Sequence, residues 1–269
     1  MDFEKIFKTA IRYPFDWEIF SIYFIFNFLI SFPIWVSLGT MQMSTMEGIS
    51  SYFGLLVPLW IISFFVGTFI IGFYYDNSSR FFPRMKRTAI KKSLEVAKKR
   101  YIPLLGTQFL LSVVFFCVFF VFGGFSLLPV LSGASFDMAS VLIGSLIGLA
   151  ALLIASFFLF LTPFACVLDK LNPIRSVKKS FSMINKNKAD TFAFLILLLI
   201  IYYIISFIGT IPLFVYKMFY EAATFNMFPF FLFQTFFSVL SYLFAISSIT
   251  NFYLTLKGTN GKKKKKRKK

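Results

Sequence analysis

Residues 88–94 read TAIKKSL, and residues 175–181 read RSVKKSF. In both stretches a Lys-Lys-Ser triplet comes shortly before a long apolar segment. This placement is typical of the cytoplasmic foot of a membrane-spanning helix, where Lys and Arg accumulate. The recurrence of the triplet therefore predicts a helical membrane protein that is built from related units.

The composition of the chain supports a membrane location. Of its 269 residues, 58% are hydrophobic, 21% are aromatic and 14% are charged, and the mean hydropathy is +0.79. A soluble domain carries about 25% charged residues. Forty-two Phe side chains would leave large apolar patches exposed in water. These values exclude an ordinary water-soluble domain.

Six apolar segments are long enough to cross a membrane, which takes about 20 residues of helix. The predicted fold is all-α and integral to the membrane, with spans at residues 19–38, 53–75, 102–122, 141–167, 192–215 and 230–256. Six spans place both termini on one side of the membrane. We expect residues 1–257 to form a single membrane domain.

The distribution of charge predicts the orientation. Of the 28 Lys and Arg residues, only Lys217 falls in the connections after the first, third and fifth spans. The same connections hold Glu47, Asp137 and Glu221. The positive-inside rule therefore predicts that both termini are cytoplasmic. We expect a multi-pass protein of the plasma (cell) membrane of a prokaryote.

Three internal repeats of about 1–80, 81–168 and 169–257 are predicted, each an amphipathic interfacial elbow helix followed by a two-helix hairpin. Asn172 and Pro173 are predicted to cap and begin the third elbow, and Pro83 to begin the second. Each elbow has an apolar stripe with helical spacing. The stripes are Phe3, Ile6, Phe7, Ala10 and Ile11; Ile90, Leu94 and Ala97; and Ile174, Val177, Phe181 and Ile184.

Elbows of this kind are expected to lie in the membrane interface, with Lys stems along the lipid and ammonium groups among phosphates. Topology and anchoring are the simpler explanation, and a specific headgroup site is the alternative. The serine of each triplet is expected to cap a backbone group or to face a neighbouring span. The candidate residues for binding a lipid headgroup or a partner are Lys91, Lys92, Ser93, Arg175, Lys178, Lys179, Ser180, Lys262, Lys263, Lys264, Lys265, Lys266, Arg267, Lys268 and Lys269.

The tail, residues 258–269, ends in a run of consecutive basic residues that repel one another, so it is predicted to be disordered. Its candidate targets are anionic lipid at the cytoplasmic surface and ribosomal or other RNA. Reinforcement of the topology is a third role. Sequence-specific nucleic-acid binding is not expected, because no aromatic residue is interleaved with the cations.

Residues 161–194, LTPFACVLDKLNPIRSVKKSFSMINKNKADTFAF, carry a family pattern. A span ends in Pro-Phe, a short charged turn follows, and Pro, a small residue, Ser and an aromatic residue precede the next span. The pattern resembles prokaryotic six-span membrane proteins of unknown function. It is similar to the membrane domain of some glycerophosphoryl diester phosphodiesterases and to YciC-like inner-membrane proteins. The matching residues are Pro163, Phe164, Pro173, Ser176, Ser180 and Phe181.

The resemblance implies a six-span fold. It does not imply phosphodiesterase activity, because the matching part belongs to the membrane domain and no soluble phosphodiesterase domain is attached in this sequence.

Catalytic and metal chemistry is not predicted. The chain has no His, and neither a nucleophile–base pair nor a phosphate-binding glycine loop is found. Asp76 follows the second span and is expected to pair with a nearby cation or to cap a helix. Cys117 and Cys166 are expected to be buried thiols without a disulfide. We therefore expect no enzyme and no cofactor.

The last predicted span has the richest polar face. Gln234, Ser238, Ser241 and Ser248 fall on one side of a helix. Such faces usually pack against neighbouring helices. The alternative is a wet groove for a lipid headgroup or a polar solute.

Three functions are consistent with these features. The first is a non-enzymatic scaffold, assembly or envelope-maintenance protein that contacts anionic lipid through its elbows and tail. The second is a transporter of lipids or small solutes. The third is a membrane-protein biogenesis factor that docks ribosomes through the tail. Membrane lipids are the expected partners, with a cytoplasmic protein or the ribosome as further candidates, and the oligomeric state stays open.

Overall fold

The computed structural model describes residues 1–40, 46–84, 90–123, 138–219 and 228–266. Within these ranges the regular secondary structure is entirely α-helical. The helices are α1 (Phe3–Ala10), α2 (Trp17–Thr40), α3 (Met46–Arg84), α4 (Ile90–Gly123), α5 (Met138–Leu159), α6 (Thr162–Leu168), α7 (Pro173–Asn185), α8 (Lys188–Phe219) and α9 (Phe228–Lys266). The predicted all-α fold class is confirmed for this part of the chain.

Five described segments are long and apolar enough to cross a membrane, as expected of a membrane-embedded protein. These segments are Val57–Phe82, Ile90–Gly123, Leu142–Leu168, Lys188–Pro212 and Phe228–Gly258. The first predicted span, residues 19–38, falls in α2, where Trp17–Pro33 forms a shorter apolar helix. The sixth crossing therefore stays a prediction.

Two compact units make up the chain. The first contains Met1–Lys98 and Ala193–Lys269, and the second contains Lys99–Phe192. These boundaries fall inside α4 and α8 and differ from those of the predicted repeats, so the repeat relation stays a prediction.

In the first unit, α9 is the central helix and contacts α1, α2 and α3. Aromatic side chains fill the contacts: the Tyr23 ring stacks on Tyr242 at 4.7 Å between centroids. The Phe194 ring stacks on Phe252 at 4.1 Å and on Phe7 at 5.5 Å. The large Phe content therefore serves packing between helices as well as exposure to lipid.

The first predicted elbow forms α1, and it packs on protein. Ile6 and Ala10 of its predicted apolar stripe are buried, whereas Ile11 is 49% exposed. The Asn251 side chain donates to the Ile6 carbonyl at 3.3 Å, and the Ser247 hydroxyl donates to the Ala10 carbonyl at 3.0 Å. The apolar face of α1 is thus occupied by α9.

The second predicted elbow is not a separate helix, because α4 runs without interruption from Ile90 to Gly123. Helix-forming Lys, Leu, Glu and Ala residues fill its first turns, and no Pro or Gly occurs before Pro103. The prediction that Pro83 begins this elbow was wrong, since Pro83 lies in the last turn of α3.

The third predicted elbow forms α7, which begins at Pro173 after the N-cap residue Asn172. This confirms the predicted start. The extended backbone of Asn172 and the fixed φ of Pro at the first helical position account for it.

The backbone of α9 continues through Lys266, whereas the sequence predicts disorder from Gly258. Lys is a good helix former, and a helix that has already nucleated adds each further residue at low cost. The side chains of residues 259–269 lie outside the described part.

Helices α8 and α9 approach closely at Gly209. A Cβ atom at this position would lie 2.6 Å from the Phe237 Cβ and 3.7 Å from the Gln234 Cα. Only a residue without a side chain allows the two backbones to come so near, as is common in membrane helix pairs.

We expect Gly209→Ala to destabilise the fold by about 1–3 kcal/mol through overpacking against Phe237. Gly67→Ala is the matched control, because its Cβ would meet only the Phe26 Cζ at 3.9 Å. Thermal unfolding in mild detergent, followed by circular dichroism, measures the difference. Equal midpoints for the two variants would contradict the close approach.

Candidate functional site

The two Lys-Lys-Ser triplets share one arrangement, in which the serine is buried beside more exposed lysines. The first triplet buries Ser93 fully and exposes its lysines, residues 91 and 92. The second buries Ser180 fully, exposes Lys178 and leaves Lys179 half-buried. The triplets belong to different compact units. No hydrogen-bond partner for the Ser93 hydroxyl is found among the described residues.

The Ser180 hydroxyl holds α7 against the end of α5. It donates to the Phe158 carbonyl at 2.8 Å. Phe158 lies in the last turn of α5, where carbonyl groups lack an intrahelical donor. Ser180 therefore supplies a donor at the end of α5, and this serine faces a neighbouring predicted span.

Helix α7 has three faces. Its buried face is formed by Ser176, Ser180, Met183 and Ile184. Part of its predicted apolar stripe forms a second, exposed face, because Ile174 is 65% exposed, Phe181 is 49% exposed and Val177 is half-buried. The third face carries the cations and includes exposed Arg175.

The apolar stripes of α1 and α7 lie in different surroundings. In α1 much of the stripe packs on protein, whereas in α7 Ser176 and Ser180 share the buried face with Met183 and Ile184, and Ile174 and Phe181 of the stripe stay exposed. Small side chains allow close helix contact, and their hydroxyl groups bond to backbone carbonyls.

A groove of about 620 Å³ lies between α4 and the start of α7. Its α4 wall consists of Gly106, Phe109, Leu110 and Val113. Its α7 wall consists of Asn172, Pro173, Ile174, Arg175 and Lys178. The close approach of the helices explains its floor, since a Cβ at Gly106 would lie 3.4 Å from the Pro173 Cγ.

We expect Ser180→Ala to cost about 1 kcal/mol, because it leaves the Phe158 carbonyl without this donor. Ser182→Ala on the exposed side of α7 is the control and should leave stability unchanged within about 0.5 kcal/mol. Thermal unfolding of the purified chain measures both. A Ser180→Ala variant as stable as the control would show that the hydrogen bond is dispensable.

The predicted polar face of α9 changes its surroundings along the helix. Gln234 is exposed, Ser238 is half-buried, and Ser241 and Ser248 are buried. The Ser206 hydroxyl of α8 donates to the Ser241 hydroxyl at 3.1 Å. This hydrogen bond connects α8 to α9, as expected when a polar face packs against a neighbouring helix.

Sequence reasoning missed a buried polar cluster, which joins the turn after α1 to α3 and joins α3 to α9. The Tyr13 hydroxyl donates to the Asn77 Oδ1 at 3.2 Å, and the hydroxyl groups of Ser78 and Thr250 lie 2.8 Å apart. All four side chains are buried. The sequence DNS at residues 76–78, directly after an apolar run, was the available signal.

Asp76, in the same stretch, pairs with Arg80 one helical turn further on. Its carboxylate accepts from the Arg80 Nε at 2.6 Å. The expected pairing of Asp76 with a nearby cation is confirmed.

Burial raises the pKa of the Tyr13 hydroxyl above its ordinary value of 10.0, because the phenolate is disfavoured away from water. The folded chain therefore holds this proton more tightly than the unfolded chain. The resulting stability is fully present below the unfolded pKa and is lost as the pH rises above it.

We expect Tyr13→Phe to lose about 1 kcal/mol at neutral pH through the lost hydrogen bond to Asn77. The difference from the wild type should shrink above about pH 10, because only the wild type titrates at this position. Thermal unfolding from neutral to alkaline pH measures it, with Tyr203→Phe at an exposed position as the control. A pH-independent difference would contradict the assignment.

The predicted tail candidates divide into two groups. Lys262 to Lys266 have a described backbone in α9, and Arg267 to Lys269 lie outside the described residues. Their contacts therefore stay predictions.

The two cysteines are free. Cys166 is buried as expected, but Cys117 is exposed, which corrects the expectation of two buried thiols. Its neighbours Phe116 and Phe120 on α4 are also exposed, so this face belongs to the apolar exterior. Within the described ranges no group of three or more His, Cys, Asp or Glu side chains could hold a metal ion.

A family model described as Domain of unknown function (DUF7847) matches residues 43–256. The match includes both Lys-Lys-Ser triplets, α7 and the groove, and it excludes α1. No curated protein and no solved structure matches the chain. The resemblance to the phosphodiesterase membrane domain and to YciC-like proteins stays a prediction.

Proposed function

The chain belongs to the family of the domain of unknown function DUF7847, and from this premise we propose a function based on its own residues. It is a non-enzymatic, multi-pass membrane protein that contacts anionic lipid headgroups and acts as a scaffold, assembly or envelope-maintenance factor. The proposal includes six spans, cytoplasmic termini and the plasma membrane of a prokaryote, supported by the one-sided distribution of Lys and Arg.

The arrangement of α7 carries the proposal. An exposed apolar face, with Ile174 and Phe181, adjoins an exposed basic face, while the third face is fixed to the protein by buried serines. A helix with this arrangement lies in the plane of the membrane interface. Each cation near an anionic surface contributes about 1 kcal/mol of attraction.

The proposed non-enzymatic character is supported by the hydrogen bonds that the polar side chains make within the protein. The hydroxyl groups of Ser180, Ser241 and Ser247 bond to neighbouring helices or to backbone carbonyls. They hold the bundle together, so their described contacts give them structural roles. The transporter and ribosome-docking alternatives stay predictions.

The test places a fluorescent reporter at the exposed position Ser182 through Ser182→Cys, with Cys117→Ala removing the other exposed thiol. The full-length chain is reconstituted in phosphatidylcholine vesicles with and without phosphatidylglycerol, and a lipid-attached quencher reports contact. We expect phosphatidylglycerol to increase quenching, and salt to reverse the increase by screening.

The double variant Lys178→Gln, Lys179→Gln should lose the increase at Ser182. The matched control Lys91→Gln, Lys92→Gln removes the lysine pair of the first triplet and should leave this local signal unchanged. Quenching that is independent of phosphatidylglycerol would contradict lipid contact by α7. Specific solute flux in the same vesicles would contradict the scaffold function and favour a transporter.

A further inference from the structure

We infer that the groove between α4 and α7 is a binding site for one anionic phospholipid. This inference rests on the proposed contact with anionic lipid and locates that contact in the groove. Its volume of about 620 Å³ falls in the range of pockets that hold small ligands, about 300–1,000 Å³. Because the groove opens on the exterior of a membrane-spanning helix, membrane lipid is the ligand that has access to the groove.

The two walls of the groove differ in chemical character, as the headgroup and the acyl chain of a phospholipid do. Arg175 and Lys178 lie on the α7 side, and both are exposed. The α4 side continues along Phe109 and Val113, which are apolar. A phosphate therefore fits beside the two cations, and an acyl chain fits along α4.

The axial order of these groups agrees with a membrane. Helix α4 passes Arg100 before it reaches the groove at Gly106. At 1.5 Å per residue, Val113 lies about 10 Å further from this charged end than Gly106. The apolar wall thus extends away from the charged foot of α4, as an acyl chain extends below its headgroup.

Backbone groups at the start of α7 complement the cations. Asn172 makes no side-chain cap, and Pro173 has no N–H. The N–H groups of Ile174 and Arg175 belong to the first turn, which has no intrahelical acceptor. They add to the positive potential at the end of the groove that Arg175 and Lys178 define.

The adjacent lysines of the second triplet provide a sharp test. Lys178 lines the groove, whereas Lys179 is not part of its lining. The full-length chain in mild detergent is titrated with dioleoylphosphatidylglycerol, and native mass spectrometry measures the tightest retained lipid. We expect Lys178→Gln to weaken this binding about tenfold, as expected for one lost charge-assisted hydrogen bond, and Lys179→Gln by about twofold or less.

Two valines of α4 test the position of the acyl chain. Val113 lines the groove and is 42% exposed, and Val121 lies outside it and is 50% exposed. Val113→Trp should fill the groove and weaken the retained lipid about tenfold, while Val121→Trp should leave it unchanged. Equal effects of the two substitutions would overturn the proposal.

The headgroup is tested by two further titrations. Dioleoylphosphatidylcholine, whose headgroup is neutral overall, should bind about tenfold more weakly than dioleoylphosphatidylglycerol. Inorganic phosphate should leave the bound lipid in place, because it lacks the chain that fills the α4 wall. Equal binding of the two lipids, or displacement by phosphate, would overturn the proposal.

The outcomes separate this site from the proposed function. If Lys178→Gln and Lys179→Gln weaken binding equally, attraction to anionic lipid is diffuse; the groove is then rejected and the proposed lipid contact stands. If neither substitution changes binding and the reporter at Ser182 is insensitive to phosphatidylglycerol, both are rejected.

Discussion

Hydrocarbon offers no hydrogen bond to a polar backbone group, so every break in a membrane helix must be satisfied from within the protein. The structure meets this constraint with short hydroxyl side chains. Pro163 follows the end of α5, and Ser180 bonds the Phe158 carbonyl there. Ser247 bonds the Ala10 carbonyl at the end of α1, which also accepts from the Tyr13 N–H. Each such bond joins two helices, so a helix end becomes a point of attachment.

Because Ser176 and Ser180 occupy part of the buried face of α7, the apolar side chains of Ile174 and Phe181 stay exposed. When the apolar stripe of a helix packs against the protein core, only the polar side of that helix is exposed. Helix α7 instead presents apolar Phe181 and cationic Arg175 together on its exterior. On α4, Gly106 lets the start of α7 come close, and the groove lies beside this contact. Small residues thus contribute both to the attachment of α7 and to the candidate lipid site.

Much of this architecture follows from local sequence, and the rest depends on contacts that local sequence does not specify. Apolar length predicts the spans, and Asn172 with Pro173 predicts the start of α7. Helical spacing places Ile174 and Phe181 on one face but does not say whether protein or lipid covers it. The burial of Tyr13 against Asn77 depends on a contact between the turn after α1 and α3, and these two residues are 64 positions apart in sequence. The groove likewise needs α4 and α7 in place.

Helix α1 shows what such distant contacts mean for assembly. Its carbonyl groups at Ile6 and Ala10 accept hydrogen bonds from α9, near the other end of the chain. Synthesis proceeds from the N-terminus, so α1 leaves the ribosome long before Ser247 and Asn251 exist. These donors lie 237 and 245 residues further along the chain than their acceptors. Helix α1 therefore reaches its native contacts only after α9 has been made, and the first unit is completed late in the synthesis of residues 1–266.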